Sequence, residues 1–262
     1  MISMKRFLLL LPLAFIGHQL TAQGQTSATQ QPKHLLFDFR LNRTTAPLKI
    51  PLATQRTILG KVFRRYLTDE AKCNTQFQAN GSDPLKAART AGQIVPSIVG
   101  MSSGSFTAPG QTETLYLISV GECNASHADN FGTKRAAIFS GQQLVADVDA
   151  DFKINIESKT DLNGDGLNEL LLSGGDMNQG VLIETAALVD FPNGRRRVIE
   201  DFGTVTEDSC ASGLPGSVAK ASVIYLVDAA AGQMPKLRIE NFQASCRTPK
   251  RWRFLSTGKM QE

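Results

Sequence analysis

The stretch Asp161-Leu162-Asn163-Gly164-Asp165-Gly166-Leu167-Asn168-Glu169 has the residue spacing that says most about the fold of this chain. Oxygen-bearing side chains occupy its positions one, three, five and nine, and a glycine occupies position six. Alternate residues of a tight loop can direct carboxylates or amides at one centre, which suits Ca²⁺ and its preference for several oxygen ligands. Gly166 allows the sharp turn because glycine has no Cβ. The stretch therefore predicts a calcium-binding loop.

The residues on either side of this loop indicate strands. Lys153–Glu157 alternates apolar and polar residues before it, and Leu170-Leu171-Leu172 follows it and ends in Ser173-Gly174-Gly175. An EF-hand loop would place an acid at position twelve and would join two helices, whereas position twelve here is Leu172. The loop is therefore predicted to connect two strands of a hairpin.

A loop of this kind resembles the FG-GAP or VCBS repeat of integrin-α-type β-propellers, in which an Asp-x-Asn-x-Asp-Gly loop with an acid at position nine lies between two strands. The resemblance covers about a dozen of the 262 residues, and the family usually has Asp where this chain has Glu169. It implies one structural calcium ion held by the side chains of Asp161, Asn163, Asp165 and Glu169 and the backbone carbonyl of Leu167. It also implies a protein that presents loops to carbohydrate or protein partners.

The chain after residue 94 favours short strands, because β-branched and apolar runs are separated by Gly, Asn, Asp and Pro. The predicted strands are Leu115–Val120, Ala136–Phe139, Lys153–Glu157, Glu169–Leu172, Leu182–Val189, Arg197–Phe202, Ser222–Val227, Lys236–Ile239 and Arg251–Leu255. No helix of 10–15 residues alternates with them, which disfavours a parallel βαβ sheet. These strands would supply only two or three propeller blades of about four strands each. We therefore expect a mainly antiparallel β fold, either propeller-like or a sandwich.

One amphipathic helix is predicted before the strands, over Ala53–Lys72. Apolar residues recur there at steps of three and four, and Pro51 stands just ahead of the start, where proline is tolerated. A second short helix is predicted over Leu85–Gln93.

The N-terminus has the pattern of a secretory signal peptide over residues 1–22. Lys5 and Arg6 precede a short apolar run, and small Ala22 ends the segment. The run is shorter than the roughly 20 residues that span a membrane, so no membrane span is expected after the signal is removed, although a retained N-terminal anchor is the alternative. Residues 23–33 form a polar, flexible lead-in, and residues 34–262 form a single domain. The predicted location is the periplasm or the exterior.

Four cysteines, Cys73, Cys123, Cys210 and Cys246, follow the predicted signal peptide. An even number in an exported chain favours disulfides, for which three pairings are possible. We prefer the sequential pairs Cys73–Cys123 and Cys210–Cys246, because each pair brackets one half of the domain.

The overall charge is +4, and it falls to +2 when Lys5 and Arg6 are removed with the signal peptide. This near-balance gives no case for a nucleic-acid partner. The basic cluster Lys250–Arg253 holds the single Trp of the chain, and its alternation predicts a half-buried strand. The acids of Asp147–Asp151 alternate without a glycine turn and predict a solvated strand edge.

Catalytic motifs are weak. Gly100-Met101-Ser102-Ser103-Gly104 matches the G-x-S-x-G nucleophile elbow by letter, but Pro109 and Gly110 exclude the long helix that the elbow requires, so a Ser/Gly-rich loop is predicted. The histidine available to a triad is His127, which lies in a predicted surface loop. We expect a binding or scaffolding protein at the bacterial cell envelope. The alternatives are an envelope hydrolase acting on glycan or ester, and a chaperone-like or inhibitor protein.

Overall fold

The computed structural model describes residues 33–41, 48–66, 97–119, 134–151, 153–227, 232–247 and 249–258, with only the backbone for residues 63–66. In these ranges the chain forms one α-helix, α1 (Leu52–Tyr66), and twelve strands. The strands are β1 (Lys33–Asp38), β2 (Ser97–Gly104), β3 (Glu113–Ser119), β4 (Lys134–Ser140), β5 (Gln143–Asp149), β6 (Asn155–Thr160), β7 (Glu169–Asn178), β8 (Val181–Asp190), β9 (Arg197–Asp208), β10 (Val218–Val227), β11 (Lys236–Ser245) and β12 (Arg253–Thr257).

The strands form two antiparallel sheets. The larger sheet has the order β12-β11-β10-β9-β8-β7-β6, and β1 pairs with β10 beside this path; the smaller sheet has the order β2-β3-β4-β5. β9 pairs with β10 only at Ala219–Ala221, whereas β1 pairs with Val223–Val227 of the same strand. The two partners of β10 therefore share one of its edges. The prediction of a mainly antiparallel β fold with an N-terminal helix is confirmed.

One buried cluster lies between the two sheets. Leu115 and Ile138 of the smaller sheet pack in it with Leu170 and Leu172 of β7. Leu171, on the opposite face of β7, belongs to a second cluster with residues of β1, β10 and β11. β7 is thus buried on both faces. Two sheets that share a core fit the sandwich alternative better than a radial array of blades.

Helix α1 covers the outer face of the smaller sheet. Ile58 and Val62 of the helix pack against Ile118, Ala137 and Phe139. Full burial of a side chain of this size stabilises the fold by about 1.5–3 kcal/mol. The predicted start at Ala53 is one residue late, and residues 67–72 of the predicted helix lie outside the described ranges. The second predicted helix, over 85–93, also lies outside them.

Several strand predictions need correction. Residues 100–104, predicted as a loop, belong to β2 and pair with β3; Gly100 suits this pairing because a Cβ there would lie 3.3 Å from Leu117. Lys33, placed in the flexible lead-in, begins β1. β7 and β9 continue well beyond their predicted ends, because residues that look like turn formers in sequence pair with β8 there.

The segment around Trp252 and the acidic segment also depart from expectation. Trp252 is partly buried, but it precedes β12, whose residues are all exposed, including Phe254 at 57%. Asp147 lies on edge strand β5 as predicted, yet its side chain is 2% exposed because it pairs with Arg135 at 3.3 Å. Among the described residues no helix is both long and apolar enough to cross a membrane.

Candidate functional site

The predicted calcium loop connects β6 to β7 and is organised by its own acidic side chains. The two carboxylate oxygens of Asp161 accept the backbone N–H groups of Gly164 at 2.7 Å and Gly166 at 3.0 Å. Asn163 Oδ1 accepts the N–H of Asp165 at 2.9 Å, and Asp165 Oδ1 accepts that of Leu167 at 2.8 Å. The side chains at positions one, three and five therefore turn inward toward the loop backbone.

Two glycines make this turn possible. Gly164 and Gly166 have φ angles of +72° and +84°, which lie in the left-handed region that favours glycine. A Cβ on Gly166 would also lie 3.0 Å from the Cβ of Pro109. The role of Gly166 in the sequence pattern is thus matched by its backbone conformation and its close packing.

Glu169, the first residue of β7, is the buried acid of the loop. It is 1% exposed, and its Oε2 accepts the N–H of Leu162 at 2.7 Å. Its Oε1 is buried and has no hydrogen-bond partner. Burial raises the pKa of this carboxyl, and the negative charges of Asp165 and Asp161 raise it further. A buried oxygen with no hydrogen-bond donor is a costly feature.

The loop as it stands is not a preformed cage. In the part of the chain that the structure describes, no three His, Cys, Asp or Glu side chains are close enough together to hold a metal ion. The oxygens of Asp161 and Asp165 accept backbone N–H groups instead. The side chain of Leu167 is buried at 8% exposure, and the ligand role of its carbonyl oxygen stays a prediction.

The guanidinium of Arg197 lies near the loop. Asp190 is fully buried and accepts the Nε–H of Arg197 with both carboxylate oxygens, at 3.0 and 3.2 Å, and a further hydrogen bond from Nη2. Asp190 raises the pKa of Arg197, and Asp165 and Glu169 contribute in the same direction. The positive charge of Arg197, which Asp190 holds in place, therefore interacts with the negative charges of Asp165 and Glu169.

The loop is docked against the segment that follows β2. Asn168 donates its backbone N–H to Ser105 O at 2.7 Å and accepts the N–H of Ser105 with its Oδ1 at 2.9 Å. Gly104 leaves room for this contact, since a Cβ there would lie 2.3 Å from Asn168 Oδ1. Buried Glu113 holds the same segment by accepting the N–H groups of Phe106 and Thr107 at 2.7 and 2.8 Å. The loop thus bridges the two sheets.

A second feature, which the sequence patterns did not reveal, is an open cavity of about 1040 Å³. Its walls come from β1, β2, β6 to β10 and the segment before β12, and they include the aromatic side chains of Phe37, Phe39 and Trp252. This volume is at the upper end of the range of small-molecule sites, about 300–1,000 Å³.

A row of polar side chains crosses four neighbouring strands at this cavity. Ser173 of β7 donates to Glu184 of β8 at 2.8 Å and also contacts Glu157 of β6. Thr206 of β9 donates to the other oxygen of Glu184 at 3.2 Å. The β6–β7 register shifts between Ile156 and Ser158, so Glu157 is the extra residue of a β-bulge. We call Glu157, Ser173, Glu184 and Thr206 the polar row.

A β-bulge explains why sequence reasoning missed the polar row. The bulge breaks the simple alternation of β6 and changes the direction of one side chain. The sequence therefore gave no signal that Glu157 of β6 and Glu184 of β8 would contact the same serine.

Among the remaining predicted candidates, Ser102, Cys210 and Cys246 belong neither to the loop nor to the cavity wall. Ser102 lies within β2 and is not at a strand-to-helix turn, so the nucleophile elbow is excluded. Cys210 and Cys246 form a disulfide with a Cα–Cα distance of 5.2 Å, which confirms that pair. His127 and the pair Cys73–Cys123 lie outside the described residues.

Comparisons of the chain with protein-family models, with curated proteins and with solved structures found no match. The function is therefore inferred from the geometry of the loop and of the cavity.

Proposed function

We propose that this chain is an exported β domain, stabilised by one calcium ion, with a binding or scaffolding role at the bacterial cell envelope. The observation that carries the calcium part is Glu169 Oε1, a buried carboxylate oxygen without a hydrogen-bond partner beside two further acids. A divalent cation would give this oxygen a partner and would offset the mutual repulsion of the three carboxylates.

The donor set fits calcium better than a transition metal. Asp161, Asn163, Asp165 and Glu169 offer oxygen side chains, and Leu167 offers a carbonyl oxygen; hard cations such as Ca²⁺ prefer oxygen ligands. Arg197 opposes the cation, but its charge is already engaged by Asp190. Calcium would supply structural stabilisation at the junction of β6 and β7.

Export is supported by two independent features. The signal-peptide pattern of residues 1–22 addresses the chain to the secretory route. The Cys210–Cys246 disulfide is of the kind that persists in an oxidising compartment. Both features fit a periplasmic or secreted protein.

A binding role, to carbohydrate or to an envelope protein, is favoured over catalysis by the geometry of the cavity. A hydrolase is the second candidate because Glu157 and Glu184 both line this cavity. A glycosidase needs the substrate bond between its two carboxyl groups. Here the hydroxyl of Ser173 contacts a carboxylate oxygen of each glutamate and donates its single proton to one of them at a time. The chaperone-like alternative stays a prediction from the sequence.

The test is the melting temperature of residues 23–262 in excess calcium and in chelator. An ion at 100 times its dissociation constant adds about 2.7 kcal/mol when it binds only the folded state. For a domain of this size that is a shift of roughly 5–10 °C. We expect the parent to show this shift and Glu169→Gln and Asp161→Ala to lose most of it.

Asp176→Asn, on the same strand as Glu169 but outside the loop, is the matched control and should keep the shift of the parent. Equal melting temperatures of the parent in calcium and in chelator would contradict the calcium site. A shift that persists in both loop variants would show that calcium binds elsewhere in the chain.

A further inference from the structure

We infer that the open cavity is a binding site for a neutral oligosaccharide, with Glu157, Glu184 and Thr206 of the polar row as its hydrogen-bonding wall. The inference rests on the binding role proposed above and names the class of ligand. It follows from the charge balance, the polar chemistry and the aromatic surface of the cavity.

The charges that line the cavity balance. Three basic and three acidic residues contribute to its walls: Arg40, Lys220 and Lys250, and Glu157, Glu184 and Asp208. Each basic residue makes an ion pair, Arg40 with Asp38 at 2.7 Å, Lys220 with Glu207 at 3.2 Å, and Lys250 with Asp208. An anionic ligand would have to compete with these pairs for the basic residues, whereas a neutral ligand would not.

The polar row offers hydrogen-bond acceptors to the cavity, which matches a molecule rich in hydroxyl groups. The carboxylate oxygens of Glu157 and Glu184 accept hydrogen bonds from hydroxyls, and so does the oxygen of Thr206, whose own proton is donated to Glu184. The row is already ordered by the bonds of Ser173 and Thr206 to the two glutamates. A ligand that binds there meets pre-organised groups and loses less side-chain entropy on binding.

The aromatic side chains supply the other half of the recognition. Phe37 packs edge-to-face on buried Phe39 with ring centroids 4.7 Å apart, and the partly exposed side chains of Phe37 and Trp252 both line the cavity. The C–H face of a sugar ring buries apolar area against such surfaces while its hydroxyls reach polar groups. A volume of about 1040 Å³ accommodates a short oligosaccharide.

The experiment is titration calorimetry of residues 23–262 in calcium with three neutral trisaccharides: maltotriose, cellotriose and chitotriose. We expect at least one to bind with a dissociation constant below about 1 mM. The fully deacetylated form of chitotriose has the same skeleton with three cationic amines, and the charge balance predicts that it binds no more tightly than chitotriose. Failure of all three trisaccharides, or at least tenfold tighter binding of the cationic form, would overturn the inference.

Variants then locate the site. Glu157→Gln keeps a polar partner for Ser173 but removes the charge that strengthens bonds to sugar hydroxyls, so we expect about tenfold weaker binding. Thr206→Val tests the row independently and should also weaken binding. Thr204→Val, two residues from Thr206 on the same strand but not on the cavity wall, should leave the affinity of the parent unchanged. Loss of affinity in Thr204→Val alone would place the sugar outside the cavity.

The calcium melting shift, measured on the same samples, separates the two proposals. A parent with the calcium shift but no sugar binding would refute the carbohydrate site and keep the calcium-stabilised domain. Sugar binding without a calcium shift would support the cavity and refute the calcium site.

Discussion

In the calcium loop, the free-energy cost of burying a carboxyl group falls on the side chain of Glu169. Its carboxyl is buried, its Oε1 has no hydrogen-bond partner, and the charges of Asp161 and Asp165 act on it. The loop spacing identified this residue as a candidate ligand. Its burial depends on the packing of β7 between two cores, which the loop sequence does not describe.

The raised pKa of Glu169 predicts a specific pH dependence of stability in chelator. The folded state holds a proton more tightly than the unfolded chain, whose carboxyl titrates near 4.5. As the pH rises from about 4.5 through the higher folded value, the free energy of unfolding should fall, and above that value it should level off. In calcium the sign should reverse, because the ion binds the ionised carboxylate.

Urea unfolding of the parent and of Glu169→Gln, at several values between about pH 4 and pH 8, isolates this contribution. In chelator, the free energy of unfolding of the parent minus that of Glu169→Gln should fall as the pH rises, since the other titrating groups are common to both proteins. A parent that gains stability relative to Glu169→Gln as pH rises in chelator would contradict the assignment.

At the scale of elements, β7 joins the two buried clusters. The sequence predicted a strand over Glu169–Leu172 from the apolar run. Such a run is consistent with burial on both faces but does not show which layer covers each face. The structure assigns Leu170 and Leu172 to the cluster between the sheets and Leu171 to the cluster with β1 and β10.

Truncation of either face of β7 should therefore be severe. Leu171→Ala and Leu172→Ala should each lower the free energy of unfolding by about 2–5 kcal/mol, because each leaves a cavity in a different core. Leu214→Ala, at a residue that is 68% exposed, should change it by less than about 0.5 kcal/mol. Denaturant unfolding measures all three, and a mild effect of Leu171→Ala would argue against the second core.

At the scale of the whole molecule, the disulfide links the segments that follow β9 and β11 in the larger sheet. Cys210 follows β9 and Cys246 follows β11, and the two cysteines are separated by 36 residues along the chain. The pairing was predictable from the even cysteine count and the bracketing of that half of the chain. The strand geometry that brings the two cysteines together was not.

Removal of this disulfide should destabilise the domain. Closing a loop of this length restricts the unfolded chain by about 4 kcal/mol in the chain-entropy model. Cys210→Ala/Cys246→Ala should therefore unfold at a lower urea concentration than the oxidised parent. Equal midpoints for the two proteins would show that the disulfide contributes nothing to folding.

The sequence by itself determined the local features of this protein: the loop spacing of Asp161–Glu169, the start of helix α1 and most strand positions. Each depends on residues close in the chain. Only the tertiary structure decided the features that need distant residues to meet, namely the choice of Cys210–Cys246 among the possible pairings, the burial of Glu169, the contacts of Ser173 with Glu157 and Glu184, and the cavity. The reason is physical: strand pairing and sheet packing set these contacts, and periodicity within a strand says only which side chains share a face.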